Sequence, residues 1–314
     1  MFANLILAAA LSLAASPQST APAQDCNAAY GDRICTNPAL APLRAEMAQK
    51  FAAVLATGNR TATWQERHDM VLRELKAGRN YMGKPMSDVE VEQTFRDHIA
   101  DLDRVLRQAK GVRTMVKVPS VRSETCMATW LDRGCRVSAS GTLRSETGQL
   151  VYWQMMDGAS GDDGVGAGIV LWSGTGFGTA RLIGWSFDGA YYEPPRMTRD
   201  NMIWVPGRTA GTGNSNADLL FQWDEDSRSW QDIDLTSWSY AVDAKLPKGF
   251  GIWKGVEFDF EGMAATSKLW RDSDANCCPT GGEALLDFDI QGRKLVLTAV
   301  RVDIVERWAP RRKD

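Results

Sequence analysis

Apolar residues between positions 37 and 56 recur at intervals of three and four, the spacing of one helix face. Asn37 and Pro38 have the residue types of an N-cap and a first helical position. The apolar face that follows consists of Leu40, Leu43, Met47, Phe51, Val54 and Leu55. The pattern predicts a first amphipathic helix that begins after Asn37.

Two more helices are predicted before Gly111. The stretch Thr63 to Glu66 has the sequence of a capping box and opens a helix that runs through Leu75. The stretch Ser87 to Glu90 opens a third, which ends at Gly111 and carries one apolar face of Val91, Phe95, Ile99, Leu102 and Leu106. Three amphipathic helices with short connections predict a small bundle.

After Gly111 the pattern changes to short alternating runs separated by Gly, Asp, Asn and Ser, which predicts antiparallel strands. Three hairpins are predicted: 137–143 with 149–155, 219–223 with 230–233, and 285–290 with 294–302. In the last strand Val296, Thr298, Val300, Val302 and Ile304 are expected on one face. The fold class is therefore α+β, with a helical module over 24–111 and a β domain over 112–314, separable near Gly111.

Eleven of the 12 tryptophans lie beyond position 111, several about 19 residues apart. Such spacing is also seen in propeller blades, but no other residues recur at the same interval, so a sandwich or barrel-like domain is favoured. The tryptophans then serve a large buried core. The alternative is a Trp-lined platform for sugars, which requires exposed indoles.

The N-terminus is typical of an export signal. The run from Leu5 to Ala15 has the length of a signal-peptide core, and Ala21-Pro22-Ala23 supplies a cleavage site. Residues 1–23 are predicted to be removed. No later segment reaches 18 apolar residues, so we expect a soluble mature chain in the periplasm or secreted medium.

All six cysteines follow the predicted cut, and an even count in an exported chain indicates disulfides. Cys26 and Cys35 lie nine apart, as do Cys126 and Cys135, which favours two local loops. Cys277 and Cys278 either bridge each other or each bridge elsewhere. The spacings of zinc ligands are absent, so no metal is expected.

The opening of the predicted mature chain resembles a known family. Cys26, Ile34-Cys35, Pro38, Leu40 and Leu43 match the start of the lysozyme-inhibitor LprI-like N-terminal module, over about a quarter of the chain. The resemblance implies an exported helical module of bacterial envelope proteins and makes a lysozyme-type muramidase the first partner to test. The segment Cys277-Cys278-Pro279-Thr280 is similar to part of some envelope lipoproteins.

The familiar catalytic and phosphate-binding signatures are missing or incomplete. The two histidines, His68 and His98, both fall on predicted helices, which favours packing roles and leaves the β domain without a histidine base. The stretch Gly174 to Gly178 leads into a strand rather than a helix and is interpreted as a turn. Asp157, Asp162 and Asp163 lack the alternation of a calcium loop and are interpreted as solvated carboxylates. No cofactor is expected.

One hydrolase interpretation survives. Glu257, Asp259 and Glu261 alternate with Phe258 and Phe260, so the three acids share one face of a strand. Paired carboxylates at that spacing could serve a glycosidase, although a water-exposed strand face gives the same alternation and is favoured.

Charge narrows the choice of partner. The 36 Lys and Arg residues against 39 Asp and Glu residues give a net charge of −3, which argues against nucleic acid. We therefore expect an exported protein that binds an envelope protein or glycan. The alternatives are a carboxylate-dependent hydrolase of envelope glycans and a structural component of an envelope assembly.

Overall fold

A computed structural model describes residues 26–80, 83–162, 164–176, 178–211 and 215–305. The predicted signal peptide and residues 306–314 lie outside these residues. Its helices are α1 (Cys26–Tyr30), α2 (Asp32–Cys35), α3 (Ala41–Ala56), α4 (Thr61–Ala77), α5 (Asp88–Gly111), α6 (Val118–Val121) and α7 (Ser239–Val242), with a 3-10 turn over Pro38–Leu40 before α3. The helices α3, α4 and α5 pack against one another. The predicted three-helix bundle is confirmed.

The helix starts agree with the sequence at two places and differ at the third. Asn37 caps the turn that leads into α3, and Ser87 forms a complete capping box with Glu90 at the start of α5. The predicted capping box at Thr63 is wrong, because α4 begins two residues earlier and Arg60 precedes it in a left-handed conformation (φ 48°) without a side-chain cap bond.

The strands are β1 (Met115–Lys117), β2 (Arg133–Arg144), β3 (Leu150–Ser160), β4 (Gly164–Gly174), β5 (Thr179–Ser186), β6 (Tyr191–Tyr192), β7 (Arg196–Met197) and β8 (Met202–Val205). They continue with β9 (Gly207–Arg208), β10 (Leu219–Asp224), β11 (Ser229–Asp232), β12 (Phe250–Gly251), β13 (Glu257–Asp259), β14 (Ala264–Arg271), β15 (Gly282–Gln291) and β16 (Lys294–Ile304).

These strands form three main antiparallel sheets. The first has the order β1-β5-β4-β3-β2, the second β11-β10-β8-β7, and the third β12-β14-β15-β16 with β13 also paired to β14. A small pair joins β6 to β9. Helices followed by antiparallel sheets make an α+β fold, as predicted. The three predicted hairpins are β2–β3, β10–β11 and β15–β16.

The predicted face of the last strand is wrong over its first half. Between Asp287 and Phe288 of β15 the register shifts, so that Thr298 of β16 has no opposite residue. The extra residue reverses the alternation. Leu295 and Leu297 are therefore buried before the bulge, and Val300 and Val302 pack on the same core after it.

The helices and the three sheets are stacked as layers, and each layer shares a hydrophobic core with the next. One face of the first sheet packs on the helices, with Met156, Trp172 and Trp185 beside Phe95 and Leu102. Its other face packs on the second sheet, and the opposite face of the second sheet packs on the third. Because both faces of β3 are covered, its residues from Val151 to Met156 are all buried.

The chain passes from helix to strand directly after Gly111, as predicted. The segment that follows is anchored by every apolar valine in it, since Val112, Val116, Val118 and Val121 are buried in the core that also holds the helix faces. Helices and first sheet thus share one core across the expected boundary.

The six cysteines form three disulfides, Cys26–Cys35, Cys126–Cys135 and Cys277–Cys278. The two predicted local loops are confirmed, and of the two alternatives for the adjacent pair the structure has the direct bridge. In the described part of the chain, no helix combines the length and apolarity needed to cross a membrane.

The tryptophan spacing does not mark equivalent positions. Trp153 and Trp172 lie on neighbouring strands β3 and β4, but Trp153 belongs to the core between the sheets and Trp172 to the core under the helices. Both are buried, so the large-core interpretation accounts for them.

Candidate functional site

A groove of about 560 Å³ lies between α4 and α5 on the helical side of the molecule. Its volume is within the range of small-molecule and peptide pockets. The residues that line it recur at helical intervals on the two helices and include two from the connection between them: Trp64, Arg67, Met70, Val71, Glu74, Asn80, Met86, Glu90, Gln93, Thr94, Asp97, His98 and Asp101.

The floor of the groove is apolar and its rim is acidic. Trp64, Val71 and Met86 are buried below it. Four carboxylates line it, from Glu74, Glu90, Asp97 and Asp101, and Arg67 is the one basic side chain among its lining residues. The groove therefore carries a clear excess of negative charge in a chain whose overall charge is nearly balanced.

The four carboxylates differ in how far they are engaged. Glu90 caps its own helix through Ser87, Asp97 accepts a hydrogen bond from Gln93, and Asp101 lies 3.5 Å from Arg104. Burial raises the pKa of half-buried Glu74 above its ordinary value. Among the described residues Glu74 has no ion pair, so a cation in the groove would relieve its desolvation.

The groove is also lined by His98, whose imidazole contacts that of the chain's other histidine, the buried His68. His68 Nδ1 lies 3.0 Å from His98 Nε2, and the His68 ring stacks on Phe51 with ring centroids 3.7 Å apart. Burial, reinforced for His68 by His98, lowers the pKa of His68 to about 4. Burial also lowers the pKa of His98 to about 4, with Asp101 opposing and Arg67 adding to the effect. Both imidazoles are therefore neutral at pH 7, and one donates a hydrogen bond to the other.

Three arginines from the helical side meet one carboxylate of the β domain below this groove. Arg60 Nη1 and Arg104 Nη1 each lie 3.0 Å from an oxygen of Asp188, and Arg67 Nη2 lies at 3.8 Å. Burial opposes ionisation of Asp188, but Arg67, Arg60 and Arg104 outweigh it and hold its pKa well below the usual range. The cluster holds α4 and α5 on the end of β5.

Arg67 connects the groove to a second, more enclosed cavity of about 110 Å³. The guanidinium stacks over the Trp64 ring, with Cζ 4.9 Å from the ring centroid, and lines both spaces. The enclosed cavity also meets Asp232, whose carboxylate accepts hydrogen bonds from the backbone N–H groups of Ala62 and Thr63. Asp232 thus caps α4 from the β domain, in place of the predicted capping box.

The strand predicted to carry three acids on one face ends at Asp259, so Glu261 lies in the following turn and the three acids do not form one site. Phe258 and Phe260 are buried, and the acids Glu257, Asp259 and Glu261 are exposed, so the predicted alternation is present. Glu257 pairs with Arg208 at 2.6 Å, beside a shallow depression that also contains Trp270.

The other two acids are engaged away from that depression. Asp259 accepts hydrogen bonds from the N–H groups of Glu261 and Gly262 in the following turn, and Glu261 accepts one from the N–H of Arg199. Only Glu257 therefore reaches a concave surface.

Two acids of the candidate calcium loop are paired with arginines, and the glycine-rich stretch forms a connection between two strands. Asp162 pairs with Arg107 of α5 at 2.5 Å, and Asp157 lies 3.5 Å from Arg136, whereas Asp163 lies outside the described residues. β4 ends at Gly174, and the next strand, β5, begins at Thr179, as the turn interpretation predicts. Phe177, between them, is also outside the described residues. Across the described ranges, no group of three or more potential metal ligands comes together.

The groove is not predicted by the sequence pattern. Its acids on α5, at positions 90, 97 and 101, are seven and four residues apart and so share one helix face, but such a stripe is typical of an ordinary solvent-exposed face. The groove forms only because α4 packs beside that acidic face of α5.

Comparison with protein-family models and with curated proteins gave no match. The resemblance of the first helical residues to the LprI-like module therefore stays a prediction.

Proposed function

We propose that the protein is exported and binds a basic segment of another protein in the groove between α4 and α5. The observation that carries this proposal is the combination of an apolar floor with four carboxylates around one space. Paired cysteines support the export part of the proposal, because disulfides persist in oxidising compartments.

The groove favours a ligand that combines cationic and apolar groups. Apolar contact with Trp64 and Met86 would supply burial, and Lys or Arg side chains would meet the carboxylates. Glu74 gains most from such a partner, because its half-buried carboxylate has no cation among the described residues. A helix or loop with basic residues three or four apart matches the spacing of Asp97 and Asp101.

The groove is held rigid for binding. The cluster around Asp188 and the cap by Asp232 fix both helices of the groove to the sheets. A surface that is ordered before the partner arrives loses little conformational entropy on binding. This favours recognition of a folded protein surface.

The first partner to test is a lysozyme-type muramidase, as the LprI-like resemblance implies. Muramidase turnover of cell-wall substrate is measured with increasing amounts of the mature protein. A second arm incubates the protein alone with the same substrate. Dose-dependent loss of turnover supports the proposal, and unchanged turnover at excess protein contradicts this partner.

The second arm tests the hydrolase alternative. Sugar release by the protein alone would overturn a pure binding function and direct attention to Glu257, the one predicted acid that reaches a concave surface. We expect no release, because Asp259 and Glu261 are engaged in turn contacts.

A further inference from the structure

A shallow depression of about 300 Å³ lies on the solvent face of the third sheet, on the β domain. Glu257 on β13 is opposite Thr266 on β14, and two residues further along β14 Lys268 is opposite Glu283 on β15. Side chains two apart share a strand face, so these four residues form one polar surface across three strands.

The charges on this surface are arranged as neighbouring pairs of opposite sign. Arg208 Nη2 lies 2.6 Å from Glu257, and Lys268 pairs with Glu283. Lys254 adds a third cation. The surface therefore presents hydrogen-bond donors and carboxylate acceptors side by side.

An exposed indole, that of Trp253, stacks on a residue that lines the depression. Trp253 is 46% exposed, whereas Trp270, which lines the depression, is 4% exposed. The two rings stack at an interplanar angle of 24°, with centroids 6.4 Å apart. Trp253 is thus supported from within the protein and still offers much of its ring surface to solvent.

The backbone is adapted to this position of Trp253. A Cβ atom at Gly251 would fall 2.2 Å from Nε1 of Trp253, so any larger residue there would displace the ring. Gly251 belongs to β12 and pairs with Trp270. The glycine therefore permits the indole to fold back against the strand.

We propose that this depression binds an oligosaccharide, with a sugar ring stacked on Trp253 and its hydroxyls bonded to the paired charges. A pyranose presents an apolar C–H face to an aromatic ring. Each sugar hydroxyl donates and accepts, so adjacent hydroxyls suit a carboxylate beside an ammonium or guanidinium group. Neither an apolar peptide nor a nucleic acid fits, since the lining is charged and two of its groups are carboxylates.

The three cations and two carboxylates give the depression an excess of one positive charge. An acidic sugar is therefore expected to bind more tightly than a neutral sugar of the same length. A shallow, open site with one indole implies weak binding to a single chain, with Kd on the order of 0.1–1 mM.

The test is a titration of the full chain, followed through the indole N–H signals of its tryptophans by NMR. The probes are a neutral chito-oligosaccharide and a uronic-acid oligosaccharide of the same length. The Trp253 signal is identified by its loss in the Trp253→Ala variant. The proposal predicts that both probes shift this signal, the acidic one at lower concentration.

Substitutions test whether the oligosaccharide binds at this depression. Trp253→Ala is expected to weaken binding about tenfold or more, and Glu257→Gln to weaken it several-fold. Tyr191→Ala, which removes an aromatic ring of similar exposure (49%) elsewhere, is the matched control and should bind as the parent does. No shift of the Trp253 signal with either probe, or equal binding by the parent and Trp253→Ala, overturns the proposal.

A groove variant such as Asp97→Lys leaves this titration unchanged, so the two sites are tested independently.

Discussion

His68 and His98 form a hydrogen bond of 3.0 Å between two neutral imidazoles at the centre of the helical bundle. The arrangement requires that one of the two facing nitrogens, His68 Nδ1 or His98 Nε2, carries no proton. Protonation of both rings would place two N–H groups against each other in a buried site. The pair thus ties the stability of the bundle to pH.

Acidification is expected to destabilise the protein between pH 6.5 and about 4. The unfolded histidines bind protons near pH 6.5, and the folded ones only near pH 4. In this window the unfolded state binds more protons, so stability is complete above it and is lost as the pH falls. The expected slope is roughly 1.4 kcal/mol per pH unit per histidine.

Denaturant unfolding at a series of pH values measures this slope. The variant His68→Gln removes one titrating ring and should flatten the slope by about half. An identical slope in the parent and the variant would show that the pair does not control acid stability.

Loss of the carboxylate at position 232 is expected to destabilise the contact between α4 and the β domain. Asp232→Asn removes the charged cap of the Ala62 and Thr63 N–H groups and leaves Arg293 without its carboxylate. We expect a loss of about 1–3 kcal/mol in the free energy of unfolding. Asp226→Asn, at an exposed turn position, is the control and should change stability little. Equal stability of the two variants would contradict this role.

The helices and the first sheet are expected to unfold together. They share one core, in which Phe95 of α5 and Trp172 of β4 both take part. Because 11 of the 12 tryptophans lie beyond position 111, tryptophan fluorescence reports mainly on the β domain, and far-ultraviolet circular dichroism reports on the helices. Coincident transitions are the expected result.

Limited proteolysis gives an independent test of the same point. The shared core predicts protection of the segment between Lys110 and Arg122, where Val112, Val116 and Val118 are buried. An early cut there, with two stable fragments, would show instead that the parts are separable at the boundary that the sequence pattern suggests.

Local pattern was sufficient for much of the fold. The three-helix bundle, three hairpins and two local disulfides follow from spacing, because these features depend on residues close together in the chain. The capping box at Ser87 is local in the same way.

The features that were missed depend on distant residues. The cap of α4 comes from Asp232, which is 169 positions from Thr63, so no local rule could identify it. The bulge at Thr298 is defined by the pairing of β16 with β15, and it reversed a face that alternation alone predicted wrongly. The groove likewise arises only when α4 is placed beside the acidic stripe of α5.

The acidic rim is expected to act through charge. Because exposed ion pairs are screened by salt, inhibition of a muramidase through the groove should weaken as ionic strength rises from about 0.01 M to about 0.5 M. Inhibition that does not depend on salt would indicate that the carboxylates take no part in binding.

The most direct measurement compares two charge reversals on the same helix. Asp97→Lys reverses a charge inside the groove, and Glu92→Lys reverses an exposed charge of α5 that does not line it. Both change the net charge equally, so a general electrostatic effect would alter both. The measured quantity is the concentration of each variant that halves muramidase turnover. Binding in the groove predicts that Asp97→Lys requires about tenfold more protein than the parent and that Glu92→Lys stays close to the parent. Equal inhibition by the two variants would contradict binding in the groove.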